Sequence, residues 1–313
     1  MIFEPIFKPR IWGGFTLRTH FRKPTPSDIR IGESWELADL PSDKTRILNG
    51  RLAGMTWAEL PFEVRRDWFS DIGPTKPFPL LIKLLDAREV LSVQVHPDRD
   101  TCHRMGHGDP KTECWYILAA EPEAVIYKGL HSGTTRDQLR QAIQKGTVAD
   151  LLCRVPVHPG ECHFIPAGTC HAIGAGLLIA EIQTPSDTTY RLFDWNRLDE
   201  KGQSRPLHIN EAMESIRFDQ PPNELAVRSK GIITDCEFFC TEILSLSVGQ
   251  ATPLDSGNTT VLIGVSGQGK IDNPDGSITS FKAGDTLLIP ASMNGYMQFD
   301  VNGQVLLAHI KEQ

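Results

Sequence analysis

The chain has 313 residues, of which 40% are hydrophobic and 23% are charged, with a net charge of −7. A chain of this length buries a full core and is expected to divide into two domains. The acidic balance argues against a nucleic-acid partner bound through a basic face, and no apolar run reaches the ~18 residues of a membrane span. Seven cysteines without a CxxC pair, and a start without a signal-peptide layout, predict a cytoplasmic protein without disulfides. The sequence does not indicate whether the protein is a monomer or an oligomer.

The first part of the chain reads as strands with one helix. Residues 1–54 are rich in Gly and Pro and contain short alternating runs, which predict strands and turns. Thr56 and Glu59 form a capping-box pattern that predicts a helix running towards Trp68. Residues 78–85 (Phe-Pro-Leu-Leu-Ile-Lys-Leu-Leu) predict a buried strand with one charge, at Lys83.

Residues 91–98 (Leu-Ser-Val-Gln-Val-His-Pro-Asp) alternate between apolar and polar side chains, which predicts a strand with two unlike faces. Gln94 and His96 point the same way and are spaced to share one ion. Pro97 ends the strand, because it has no N–H for a ladder hydrogen bond. The alternative interpretation is an edge strand with a surface histidine.

The middle of the chain combines further strands with short helices. Strands are predicted at 112–118, 161–165 and 176–183. A helical insertion is predicted near 134–153, with a capping box at Thr135 and Gln138 and a division at Gly146. Asn210 is expected to cap a helix over 211–216, and the polar segment 219–224 is expected to be the domain linker.

From about residue 232 onward the sequence predicts short strands, with hairpin signals at Asp275-Gly276 and Asn302-Gly303. Residues 159–171 align without gaps on residues 283–295, which indicates an internal duplication. The sequence therefore predicts a mainly β protein of two jelly rolls, over 1–218 and 225–313. Gly295 stands where His171 stands in the first copy, so any site there is expected to be lost from the second.

Four residues of the first jelly roll are expected to converge, since alternate strand residues face its interior: Gln94, His96, Glu113 and His171. Imidazole, carboxylate and carbonyl ligands on rigid strands suit zinc, and equally iron or manganese. The alternative for each histidine is a hydrogen-bonded core residue.

Three further residues have charges in unusual places. Lys83 in an apolar strand needs a partner, either a ligand phosphate or a carboxylate such as Asp86 or Glu89. Arg191 is a second candidate anion contact, or a structural partner of a nearby aspartate. Glu181 lies within an apolar strand and is a candidate general base.

Several short motifs, taken together and in their order along the chain, resemble those of a known protein family. They are residues 8–14 (KPRIWGG), 32–36 (GESWE), 91–98 (LSVQVHPD), 111–116 (KTECWY), 165–171 (IPAGTCH) and 186–191 (SDTTYR). Through about residue 216 the chain resembles the type I mannose-6-phosphate isomerases of the short bacterial form. The resemblance implies a cupin-like fold with one zinc ion per chain, held by Gln94, His96, Glu113 and His171.

The same resemblance implies further roles. Lys111, Glu181, Asp187 and Arg191 are expected to be catalytic, with Lys83 and Ser92 on the substrate phosphate. The implied reaction interconverts mannose 6-phosphate and fructose 6-phosphate through a metal-stabilised enediol, and Glu181, Lys111 and a metal-bound water are alternatives for the base.

Two other functions fit part of the pattern. An iron-dependent cupin dioxygenase would use two His and one Glu, but it would leave Lys83 and Arg191 without a role. A sugar-responsive binding module would have little need of a metal and a base together.

Overall fold

The structure, a computed structural model, describes residues 1–198, 202–219, 231–254 and 257–311, and these residues form mainly β-strands. The strands before residue 200 are β1 (Phe3–Glu4), β2 (Ile6–Gly14), β3 (Ile31–Leu37), β4 (Arg46–Ile47), β5 (Leu81–Ala87), β6 (Val93–Val95), β7 (Glu113–Ala120), β8 (Val125–Leu130), β9 (Leu152–Pro156), β10 (Cys162–Ile165), β11 (His171–Ile173), β12 (Leu177–Gln183) and β13 (Tyr190–Phe193). The strands after residue 230 are β14 (Gly231–Asp235), β15 (Phe239–Leu246), β16 (Ala251–Leu254), β17 (Thr260–Ser266), β18 (Gln268–Asp272), β19 (Ile278–Lys282), β20 (Thr286–Ile289), β21 (Gly295–Phe299) and β22 (Gly303–Ile310). The α-helices are α1 (Thr16–Phe21), α2 (Phe62–Trp68), α3 (Arg99–Met105), α4 (Arg136–Lys145) and α5 (Ile209–Ser215).

Two antiparallel sheets form the first jelly roll. The six-stranded sheet has the order β10-β7-β12-β5-β3-β2, and the five-stranded sheet has the order β13-β6-β11-β8-β9. Trp115 and Ile179 of the first sheet and Ile126 and Ile173 of the second belong to one buried cluster, so these inner faces pack on each other. This packing follows from the alternation predicted from the sequence, because alternate residues of a strand lie on the same face of the sheet.

The second half repeats this arrangement. Its larger sheet has the order β14-β15-β22-β17-β20, and its smaller sheet has the order β16-β21-β18-β19. The order β3-β5-β12-β7-β10 therefore corresponds to β14-β15-β22-β17-β20, and β6-β11-β8-β9 corresponds to β16-β21-β18-β19. The predicted mainly β fold of two jelly rolls is confirmed. The domain boundary is still a prediction, since residues 220–230 lie outside the described ranges.

The larger sheets of the two halves share a hydrophobic cluster. It includes Ala180 and Ile182 from β12 as well as Val261 from β17 and Leu306 from β22. These residues alternate with the inward-facing ones, so each larger sheet buries both of its faces. Asp71 strengthens the connection, because its carboxylate accepts hydrogen bonds of 2.6 Å from the amide and the hydroxyl of Thr259.

Three local predictions have definite outcomes in the helices. The capping box at Thr56 is present, but it caps only the 3₁₀ segment Trp57–Glu59, and α2 starts separately after Pro61. A continuous helix was the wrong prediction, since a proline in a helix interior removes a hydrogen bond and clashes with the preceding turn. Asn210 is not a cap, because α5 begins at Ile209. The helical insertion is confirmed as α4, with its Thr135 capping box, followed by a 3₁₀ turn.

The two hairpin signals behave differently. Asp275-Gly276 lies between β18 and β19, which pair along their length, so this hairpin is confirmed. Asn302-Gly303 joins β21, in the smaller sheet, to β22, in the larger one, so the hairpin prediction there was wrong. The dipeptide fixes a tight turn, while the partner of each following strand is set by the packing of the two sheets. No helix in the described part of the chain is long and apolar enough to cross a membrane.

The shared cluster predicts that the two halves depend on each other for stability. Phe239 is fully buried in it, so Phe239→Ala should lower the free energy of unfolding by about 3–5 kcal/mol. Ile232 on the neighbouring strand is 59% exposed, and Ile232→Ala should change that free energy by less than about 0.5 kcal/mol. Urea denaturation of metal-saturated protein measures both. Equal losses for the two variants would contradict a packed interface.

Candidate metal centre and substrate pocket

The candidate metal centre is assembled by strand pairing. Gln94 in β6 lies directly opposite His171, the first residue of β11, so their side chains share the inner face of the five-stranded sheet. Gly168, at φ +87°, allows the tight turn that delivers His171. Glu113 begins β7 in the opposite sheet. The jelly roll thus brings together residues that are far apart in sequence.

Backbone carbonyls fix the orientation of both imidazoles. His96 Nδ1 donates to the carbonyl of Thr188 at 2.9 Å, and His171 Nδ1 donates to the carbonyl of Thr169 at 2.8 Å. Each ring therefore keeps an unprotonated Nε2, and both Nε2 atoms face Glu113. This arrangement, with the far nitrogen held by a carbonyl, is the one that metal-binding histidines usually have.

The atoms facing one another have the spacing of ligands around one ion. Glu113 lies 3.5 Å from His96 Nε2 through one oxygen and 3.5 Å from His171 Nε2 through the other. The amide of Gln94 lies 3.3 Å from His171 Nε2. Ligand atoms around a tetrahedral zinc with bonds of about 2.0–2.1 Å lie about 3.3–3.4 Å apart. These separations are long for hydrogen bonds and right for atoms with an ion between them.

Because the centre is buried, its polar atoms cost free energy of folding when no ligand is bound. His96 and Glu113 are almost fully buried, and His96 Nε2 and Glu113 Oε1 have no hydrogen-bond partner among the described residues. An unsatisfied buried polar atom costs free energy, which a bound cation would remove. The oxygen of Gln94 completes the set once its amide is turned so that Nε2 faces Ser92, because amide orientation follows from hydrogen bonding. The residues therefore fit a zinc ion.

The charges around the centre are balanced for metal binding. Burial and, after it, the charge of the nearby Lys111 lower the pKa of His96 to about 4, so the imidazole is neutral, as a metal ligand must be. Burial opposes ionisation of Glu113, but the charge of Lys111 outweighs it and holds the pKa of Glu113 well below its usual range. Lys111 lies 2.8 Å from Glu113. The centre thus holds an ionised carboxylate beside a lysine ammonium.

A row of interior side chains runs across the larger sheet from the centre. Strand register places His163, Trp115, Glu181, Lys83 and Trp35 side by side. Glu181 accepts a hydrogen bond of 3.1 Å from Trp115 Nε1 and lies 3.2 Å from Lys83 Nζ. The carboxylate partner of Lys83 is therefore Glu181, and the suggestion of Asp86 or Glu89 was wrong. Lys83 also lies over the Trp35 ring, 5.1 Å from its centroid.

A cavity of about 470 Å³ opens beside the centre and is lined by seven of the ten predicted site residues. Those seven are Lys83, Ser92, Gln94, Lys111, Glu181, Asp187 and Arg191. Arg191, next to Gln94 across β13 and β6, donates from Nε to the Ser92 hydroxyl at 3.2 Å. His96, Glu113 and His171 complete the set in the buried centre.

The same cavity is lined by other residues, which the sequence analysis did not identify as site residues. They include Trp12, Arg205 and an ion pair between Arg10 and Glu33. Arg10 and Glu33 lie within two of the motifs quoted above, KPRIWGG and GESWE, so those motifs were the available signal. Five cationic side chains and three carboxylates line the cavity, an excess of positive charge in a chain that is acidic overall.

The second jelly roll carries different residues at the matching positions. Leu254 pairs with Gly295 as Gln94 pairs with His171. Thr260 pairs with Ile289 as Glu113 pairs with Ile165. Leu254, Thr260 and Gly295 thus replace three of the four candidate ligands, and the counterpart of His96 lies outside the described residues. His96, Glu113 and His171 are the one group of three such side chains that converges within the described residues.

This geometry predicts separate outcomes for two neighbouring histidines. His171→Ala should remove most of the metal, whereas His163→Ala should keep one ion per chain and lose stability, because His163 is buried against Glu161 at 3.2 Å and is not one of the three converging side chains. Elemental analysis and thermal melting of both variants check this. Full metal content in the His171 variant would show that the site is elsewhere, and two ions per wild-type chain would contradict a single centre.

The chain is similar to known proteins along its whole length. The family model "Phosphomannose isomerase type I, catalytic domain" matches residues 1–127. The chain is 35% identical to mannose-6-phosphate isomerase ManA of Bacillus subtilis over 99% of this chain and 98% of that protein. It is 33% identical to a mannose-6-phosphate isomerase of Streptococcus mutans over 99% of both chains.

Solved structures share the whole fold. The crystal structure of the Bacillus subtilis mannose 6-phosphate isomerase superposes with a TM-score of 0.87 at 30% identity, covering 99% of each chain. A zinc-bound mannose 6-phosphate isomerase superposes with a TM-score of 0.76 at 16% identity, again over 99% of each chain, and this second likeness concerns the fold alone. On the full-length identity to curated relatives, the chain belongs to the type I mannose-6-phosphate isomerase family.

Proposed function

We propose that the protein interconverts mannose 6-phosphate and fructose 6-phosphate with one zinc ion per chain. The observation that carries the proposal is the buried His96, Glu113 and His171 centre, which opens into a cavity with an excess of cationic side chains. Family membership supports the same substrate pair. Of the sequence-based alternatives, an iron dioxygenase leaves these cations unused, and a binding module leaves the centre unused.

The metal ligands in this proposal are Gln94, His96, Glu113 and His171. Two imidazole nitrogens, a carboxylate and an amide oxygen form a set that zinc accepts. When bound, zinc supplies Lewis-acid stabilisation of the negative charge that develops on the sugar oxygens in an enediol-forming reaction. The second jelly roll lacks three of the matching ligands, which supports a single ion per chain.

We assign the proton transfer between C1 and C2 to Glu181. Its carboxylate is held in one position by Trp115 and Lys83, and it lines the cavity. Lys111 is buried; burial lowers its pKa, but Glu113 and Glu181 outweigh that effect and raise it, so the residue acts as a fixed cation. Asp187 and Arg191 line the same cavity and are assigned to direct contacts with the substrate.

The phosphate end of the substrate is assigned to Lys83 and Ser92. Lys83 supplies a point charge, and Ser92 supplies a hydroxyl that Arg191 already orients. A phosphate at a fixed distance from the metal would hold C1 and C2 in place for proton transfer, which converts binding energy into correct orientation. We also propose a cytoplasmic location, which agrees with the seven free cysteines.

Glu181→Gln keeps the size of the side chain and a hydrogen bond to Trp115, but it removes the base. The turnover number should fall roughly 10²–10⁴-fold, the range for loss of a general base, while metal content stays at one per chain. A coupled isomerase assay and elemental analysis measure both. Retention of turnover within a few-fold would transfer the proton-transfer role to another residue.

Lys83→Met keeps the packing of the aliphatic stem and removes the charge. Affinity for the phosphosugar should fall by about 1.5–3 kcal/mol, the range for hydrogen bonds to charged groups, and affinity for free mannose should barely change. Calorimetric titration of the metal-loaded variant with both sugars is the measurement. Equal losses for the two sugars would show that Lys83 supports the structure through Glu181 instead.

A further inference from the structure

An ion pair at the mouth of the cavity has no role in the function proposed so far. Arg10, at the end of the six-stranded sheet in β2, binds Glu33 of β3 through two hydrogen bonds, Nε to Oε1 at 2.8 Å and Nη2 to Oε2 at 3.2 Å. The side chain of Glu33 is 13% exposed, whereas that of Arg10 is 34% exposed. The carboxylate is therefore mostly covered and the guanidinium faces the opening.

Glu33 is held rigidly as a carboxylate. Trp35 Nε1 donates to it at 2.7 Å. Burial opposes its ionisation, but Lys83 and Arg10 outweigh the burial and lower the pKa of Glu33 to about 2. Glu33 is thus charged at any physiological pH, and it fixes the plane of the Arg10 guanidinium by a two-point contact.

The backbone is shaped to admit Arg10 at this point. A Cβ atom on Gly32 would lie 2.6 Å from Arg10 Cβ and 2.7 Å from the Trp12 ring, distances that real Cβ atoms do not show. The absence of a side chain at residue 32 lets the Arg10 stem cross β3 and reach Glu33. Gly32 thus makes room for both Arg10 and Trp12, two side chains that line the cavity.

The opposite side of the mouth carries a second cation, Arg191. Arg191 on β13 forms no ion pair among the described residues; it donates to the Ser92 hydroxyl and to the carbonyl of Pro206. Burial lowers the pKa of Arg191, and the neighbouring arginines, including Arg10, lower it further. Arg10 and Arg191 therefore repel each other across the cavity that both line. An anion between them removes that repulsion.

We propose that Arg10, oriented by Glu33, is a phosphate-recognition residue that acts with Arg191 across the cavity mouth. The Glu33 contacts occupy Nε and one hydrogen of Nη2, and Nη1 donates one long hydrogen bond of 3.4 Å to the Pro9 carbonyl. One hydrogen on each of Nη1 and Nη2 is left for two phosphate oxygens. Glu33 is a positioning residue, since it acts through Arg10. This inference rests on the proposed function for the identity of the phosphorylated ligand, but the anion site itself does not.

The test compares Arg10→Met, Glu33→Gln and the double variant with wild-type holoenzyme. Inorganic phosphate as a competitive inhibitor is the probe, together with KM and kcat for mannose 6-phosphate. Arg10→Met and the double variant should raise both the phosphate inhibition constant and KM about tenfold, with kcat within twofold of wild type. Glu33→Gln should give a smaller rise in the same two constants, because the guanidinium is kept but less well oriented.

Arg30→Met is the matched control. Arg30 is an exposed arginine paired with Glu89 at 2.9 Å beside the cavity, so this variant removes the same charge without removing the two-point contact. It should leave all three constants unchanged. The double variant excludes a folding defect caused by leaving Glu33 buried without its partner, since it leaves no uncompensated charge.

The outcomes separate this inference from the proposed function. Normal turnover with unchanged phosphate inhibition in the Arg10 variants, or a fall in kcat alone, would overturn the role of Arg10 and leave the isomerase function standing. Absence of mannose 6-phosphate turnover in wild type, with phosphate binding that still depends on Arg10, would overturn the isomerase function and support the anion site. A rise of the same size in the Arg30 variant would mean that only the overall charge matters.

Discussion

The candidate site depends on one buried carboxylate. Glu113 is fully buried, and a carboxylate in that position is tolerated only where positive charge compensates the loss of water. Lys111 on one side supplies positive charge, and two imidazoles with unprotonated Nε2 atoms on the other face the same carboxylate, which is the arrangement that a bound cation would complete. The turn at Gly168, the pairing of β6 with β11 and the carbonyls of Thr169 and Thr188 all serve to bring those groups to Glu113.

Strand-level features were predictable from the sequence because they follow from local periodicity. The alternation around Gln94 and His96 placed both on the inner face, and the repeated Ile-Pro-Ala segment indicated two similar jelly rolls. Gln94 and His96 followed from the first observation and His171 from the turn after the Ile-Pro-Ala segment, while Glu113 followed from the strand predicted at 112–118. Helix starts with a complete capping box, such as the one at Thr135, were equally local and equally predictable.

Features that depend on distant partners were not predictable in the same way. The strands that follow Asn302-Gly303 find their neighbours through sheet packing, so a hairpin dipeptide alone does not identify them. Lys83 pairs with Glu181 across neighbouring strands, a contact that only the register of β5 and β12 creates. Arg10 and Glu33 were within recognised motifs, but their mutual contact depends on the close approach of β2 and β3.

The hydrophobic cluster shared by the two larger sheets has an evolutionary consequence. A duplication of the kind that the sequence predicts would leave the second copy free to carry Leu254, Thr260 and Gly295 at the matching positions, because only the first copy would be constrained by metal binding. Val261 and Leu306 have no such freedom, since their loss would expose the outer face of the catalytic sheet to water. Among relatives, the sequence of the second half should vary most at the positions that match the metal ligands and least in the shared hydrophobic cluster.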